Sequence, residues 1–272
     1  MSFAENIKNL NRRVIFVLIA LSVVIPLIFK IGLPSKVTKE VKQVYQEIET
    51  LEQGSPVLVS FDHEASSLPE IKPMADAILR HCFSKDLKVL GLALLAEGTA
   101  IGDEIMREVA KEYEKEYGKD YVFLGFRPQY MAAILGMGED IHRVFPQDYK
   151  GNSTVELAMT KELRNYEDIP LIISVADGDM PTYWINFANA RYHKRIVIAV
   201  TAVMATSFYP FLNSGQLAGL VGGLKGAAEY EILIQKPGMG GKGMDAQSMA
   251  HLMILVLVIL GNITFFMGKK KT

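Results

Sequence analysis

The chain has 272 residues, half of them apolar and 22% charged, which excludes a disordered or collagen-like polymer. A single cysteine, Cys82, excludes a disulfide framework and a cysteine-rich zinc site. The net charge of −1 hides a division: residues 1–33 carry +3 and the final lysines +3, leaving −7 in residues 34–248. An acidic middle between basic ends argues against a nucleic-acid partner, which needs clustered Lys and Arg to replace phosphate counterions.

After a tail at 1–13, residues 14–33 read VIFVLIALSVVIPLIFKIGL, with Lys30 as the only charge. Twenty residues at about 1.5 Å each cover the ~30 Å hydrocarbon core, with Lys30 snorkelling outward. Arg12 and Arg13 precede the run and no small-residue cleavage site follows it, so an uncleaved signal anchor is expected. In the linker 34–55, Val41, Val44, Tyr45, Ile48 and Leu51 recur at the spacing of an amphipathic helix.

Residues 56–234 read as one α/β domain. Apolar runs at 56–61, 87–95, 121–126, 171–176 and 195–200 predict five strands. Between them, Ser67 and Glu70 form a capping signal ahead of Ile71, Met74, Ala75, Ile78, Leu79 and Cys82, and further helices are expected at 99–117 and 181–192. Near-continuously apolar strands separated by helices predict a Rossmann-like or flavodoxin-like parallel sheet covered on both faces. The connection 127–170 is long enough for a crossover back past the first strand, predicting strand order 3-2-1-4-5.

Residues 196–224 lack charge and imitate a membrane span, but Ser207, Pro210, Asn213, Ser214 and Gln216 interrupt them. They read instead as a buried strand, a turn and a small-residue helix. Across Phe208–Glu231, Gly215, Gly219, Gly222, Gly223 and Gly226 would leave one helical flank almost bare. Each glycine costs a helix about 1 kcal/mol, so the run implies a close backbone contact with the sheet, a second subunit or a partner. A Gly-rich linker at 235–248 leads to a second apolar span at 249–267 and a basic tail at 268–272. Basic residues flank the two sides of the spans equally, and long domains cross membranes largely regardless of charge. Both termini are therefore expected in the cytoplasm and the domain outside.

The predicted strand order has a switch point between strands 1 and 4, where open α/β sheets bind ligands at the strands' carboxyl ends. Asp62, His63 and Glu64 follow strand 1, Glu97 follows strand 2, and Asp177 and Asp179 follow strand 4. Converging carboxylates could hold Mg²⁺ or Ca²⁺, or activate water beside His63. The same residue types are ordinary turn and cap formers, so no metal is firmly specified. No glycine-rich phosphate loop follows strand 1, and no G-x-S-x-G elbow is present.

Ser214-Gly215-Gln216-Leu217, Gly223-Leu224, Gly226-Ala227-Ala228 and Tyr230-Glu231, then Ala246-Gln247-Ser248 and Leu260-Gly261-Asn262, carry a resemblance. With Phe61-Asp62 and Tyr121-Val122-Phe123-Leu124-Gly125, they look like an uncharacterised prokaryotic membrane-anchored α/β protein family. The likeness covers most of 56–262; it implies the two-span architecture and no catalytic role. The expected function is a membrane-anchored domain serving a membrane complex as a partner-binding, scaffold or ligand-sensing component. Its spans would lie in the lipid bilayer, with a second copy of the chain or a membrane protein as partner. The alternative is a metal-dependent hydrolase using the strand-end carboxylates.

Overall fold

A computed structural model describes residues 11–29, 31–34 and 36–269. Most of the tail 1–13, and the last three residues of the basic tail, lie outside them. The chain divides into two compact units, one holding residues up to Pro34 with those from Gly241 onward, the other Ser35–Gly240.

In the first unit, α1 (Arg12–Ile28) has 17 residues and carries Asn11 as its N-cap. It presents exposed Phe16, Val17, Leu21 and Val24, with a partly shielded stripe at Ile15, Leu18, Ile19, Ser22 and Pro26. The second helix of this unit belongs to α11 (Met239–Lys269), an unbroken 31-residue helix. Its Met239–Phe266 stretch is, among the described residues, the one helix long and apolar enough to cross a membrane, and none of its most apolar window is buried. The Gly-rich segment expected as a linker is thus helical from Met239. Asp245, 3% exposed, accepts hydrogen bonds from the backbone N–H groups of Ile31, Gly32 and Leu33 at 3.1, 2.8 and 3.0 Å. Gly32 takes a φ of +73° there, which its missing Cβ permits.

The second unit is a six-stranded, wholly parallel sheet in the order β3-β2-β1-β4-β5-β6. Its strands are β1 (Pro56–Asp62), β2 (Lys88–Ala93), β3 (Tyr121–Phe126), β4 (Leu171–Ala176), β5 (Arg195–Val200) and β6 (Gly219–Gly222). The expected order of five is therefore present, extended by one strand. Alternation along β1 sends Val57, Val59 and Phe61 to one face and Leu58, Ser60 and Asp62 to the other. The first face is covered by α2 (Lys39–Glu49), α3 (Leu68–Ser84), α4 (Glu97–Glu112) and α10 (Gly223–Leu233).

The second face is covered by α5 (Tyr130–Met137), by the turn of helix α6 (Ile141–Val144), and by the helix that begins with α7 (Met180–Tyr183). That helix passes through a π-helical stretch, Trp184–Asn189, into α8 (Ala190–Tyr192); α9 (Ala202–Asn213) completes the layer. Cys82 packs in the first core, and burial pushes its thiol up to about 12, as expected of a structural rather than a reactive cysteine.

Two readings of the sequence are corrected. Residues 39–49 are part of the core rather than a linker, since Val41, Val44 and Ile48 are buried against the sheet. The 208–231 stretch is not one glycine-flanked helix: it ends α9, forms β6 and begins α10. β6 forms without β-branched residues at three of its four positions because β5 supplies its ladder from Val197 to Val200. A Cβ on Gly219 would lie 2.6 Å from both the backbone nitrogen and a methyl of Val44, so the glycine lets α2 lie directly on the strand. On the same face the Tyr230 hydroxyl bonds His81 Nδ1 at 2.8 Å, and His81 Nε2 bonds Glu49 at 3.0 Å, joining α10, α3 and α2.

Replacing Gly219 by Leu is expected to undock α2 at a cost of about 1–3 kcal/mol, roughly 2–12 °C in Tm for a domain of this size. Gly178→Ala, where nothing lies within 4 Å of the added carbon, should leave the Tm unchanged. Thermal unfolding in mild detergent measures both.

Candidate functional site

The sheet's central position for β1 brings the loops after β1, β2 and β4 together at one end. Asp62, the last residue of β1, is fully buried on the second face. One carboxylate oxygen accepts from the Ser60 hydroxyl at 2.5 Å and the other from the backbone N–H of Leu94 at 2.6 Å. The Leu95 N–H and the Trp184 indole also favour its ionised form, the indole without a hydrogen bond of standard geometry. Burial outweighs these donors and raises the Asp62 carboxyl to about 6.

His63, the next residue, is also fully buried. Its Nδ1 lies 3.3 Å from the Glu64 carbonyl, its Nε2 has no hydrogen-bond partner, and burial lowers its pKa against the pull of Glu64 and Asp177. Asp177, after β4, accepts from the backbone N–H of Glu64 at 2.8 Å and from the Ser67 hydroxyl at 2.7 Å. Gly98, in the first turn of α4, closes the third side: a Cβ there would meet the Phe61 carbonyl oxygen at 2.0 Å.

The structure thus joins Asp62, His63, Glu64 and Asp177 at one end of the sheet, but with different tasks. Asp62 ties β1 to the start of the β2 loop, and Asp177 ties the β4 loop to the β1 loop. Glu97 and Asp179 are exposed, Glu97 as the first residue of α4 and Asp179 as the residue before α7. Among the described residues, no group of three His, Cys, Asp or Glu side chains is placed to hold a metal ion. Sequence patterning did not disclose Ser60, Ser67 or Trp184 as partners. The only available signal was period-2 alternation, which sets Ser60 on the same face as Asp62.

The glycines expected at an interface are spent inside the domain. A Cβ on Gly222 would meet Ala205, one on Gly223 would meet Ala202 and the Glu70 carboxylate, and one on Gly226 would meet Val221. Gly215, in the turn after α9, has open space and a φ of +79°. Asn152-Ser153-Thr154, which has the form of a glycosylation acceptor, is also engaged: the Asn152 amide donates to Asp148 at 3.0 Å, and Thr154 is buried. Comparison with protein-family models, curated proteins and solved structures gives no match.

Asp62 binds its proton more tightly when folded than its ordinary 3.8 allows, so it withdraws stability as pH rises from about 4 to about 6. About two pKa units correspond to roughly 3 kcal/mol. Denaturation of wild type and Asp62→Asn across pH 4–7 should therefore show the variant gaining about that much relative to wild type as pH rises.

Proposed function

We propose that the protein is a membrane-anchored α/β domain that binds a partner or ligand in a membrane complex and performs no chemistry at its strand ends. The observation that carries this reading is the use of the Asp62 and Asp177 carboxylates. Both oxygens of Asp62 and one oxygen of Asp177 are engaged by the protein's own hydroxyl and backbone donors, which tie the neighbouring loops together. A metal-dependent hydrolase would need those oxygens turned toward a substrate and an ion.

The anchor we propose is a pair of transmembrane helices, with both termini in the cytoplasm and the domain outside. The exposed apolar surfaces of Arg12–Ile28 and Met239–Phe266 support it, since a soluble protein rarely leaves so much hydrocarbon in water. The Asp245 carboxylate on the N–H groups after the first helix supports their leaving the bilayer on the same side. The same apolar surfaces would meet lipid, a second copy or a membrane-protein partner. Membership of the prokaryotic membrane-anchored family that the sequence resembles is part of this proposal.

In a Cys82→Ala background, Glu156→Cys should react with an impermeant thiol reagent on intact cells and Ser2→Cys should not; the reverse pattern would invert the orientation. Chelation in mild detergent is expected to leave the Tm unchanged. A chelator-induced drop that disappears in Asp62→Asn would replace the binding reading with the metal-dependent one.

A further inference from the structure

A cavity of about 220 Å³ opens at the other end of the ligand-facing edge, beyond β5 and β6, among the starts of α2, α9 and α10. No strand-end residue singled out from the sequence lines it. Its apolar wall is Val41, Ala205 and Leu220, and its polar groups include the Thr206 hydroxyl and the exposed Tyr209 ring.

At its floor is Glu229, 0% exposed. One Glu229 oxygen accepts from the Thr38 backbone N–H at 2.8 Å and from the Thr38 hydroxyl at 2.6 Å. The other is paired to the Lys225 ammonium one helical turn earlier. An ionised carboxylate withdrawn from water is stabilised by a cation beside it. Here that cation comes on a flexible arm whose side chain is 55% exposed. The charged lining, Glu40, Glu229 and Lys225, is net negative, and the nearby Glu70 carboxylate is engaged with the Ala202 N–H at 2.9 Å.

We infer that this cavity binds a small primary amine whose ammonium takes the place of Lys225 on Glu229 while its hydrocarbon body lies on Val41, Ala205 and Leu220. Tyr209 offers the cation an aromatic face. The volume is below the ~300–1,000 Å³ of sites for drug-sized ligands, which restricts the occupant to a small monoamine or diamine. Lys225 acts as an internal competitor, holding the carboxylate until the ligand arrives. The inference needs neither the membrane anchor nor a protein partner to be correct.

The test uses the full chain in mild detergent, with butylamine, putrescine and phenethylamine against butanol and butyrate as matched neutral and anionic probes. Calorimetry should show the amines binding wild type, with butanol and butyrate silent. Lys225→Met should lower the Tm, amines should restore it, and amine affinity should rise about tenfold because nothing competes. Ala205→Trp, which fills the cavity, should abolish amine binding to the otherwise native protein. Equal responses to all probes, binding that survives Ala205→Trp, or rescue of Lys225→Met without binding to wild type would each overturn the inference, the last reducing the site to an internal ion pair. If Lys225→Met does not fold, wild type and Ala205→Trp alone decide it.

Discussion

Backbone N–H groups that neither a helix nor a sheet can satisfy govern where this protein places its acids. Helix starts and strand ends leave such donors behind, and burying one without an acceptor costs about 1–3 kcal/mol. Here carboxylates take them repeatedly. Asp62 serves Leu94, Asp177 serves Glu64, Glu70 serves Ala202 and Glu229 serves Thr38. Glu231 serves Gly240 at 2.7 Å, Asp245 serves three residues in succession, and Asp148 serves Lys150 and Asn152. The negative excess of the middle region is thus largely a property of how loops are fastened, and it needs no basic partner to explain it.

This has opposite effects at the two ends of the row of loops that follow the strands. Around β1 and β4 the fastened loops press together, with Gly98 seated on the Phe61 carbonyl and Asp177 bridging two loops. Beyond β5 and β6 the same device leaves a space, because Glu229 reaches Thr38 under a wall of small side chains instead of drawing two loops into contact. Which end could accept a ligand therefore depends on the size of the residues around the fastening carboxylate, Ala202, Ala205, Gly222 and Gly226 at the open end.

The order of the sheet and five of its six strands were legible because buried parallel strands are written as compact apolar runs between helical periods. β6 was not, since Gly-Leu-Val-Gly has little strand character of its own and becomes a strand by pairing with β5 under α2. The start of α11 was hidden for a related reason: glycines there read as a linker, yet Gly240 fits where any Cβ would lie 2.7 Å from that of Ala227. The strand-end acids were located by topology, but the direction in which each carboxylate points depends on Ser60, Ser67 and Leu94, none of which announces itself as a partner. The cavity was invisible because its walls come from helices starting near residues 38, 202 and 223, brought together by the sixth strand.

The seating of α2 on β6 has a consequence for synthesis. Val44 and Gly219 lie about 175 residues apart in the chain, and a ribosome adding about 5–20 residues per second needs roughly 9–35 s to travel that distance. During that interval α2 has left the ribosome with its apolar stripe of Val41, Val44 and Ile48 uncovered, while the strands it will lie beside are still being made. A chain interrupted before Gly219 would hold five of the six strands and still lack the strand on which α2 is seated.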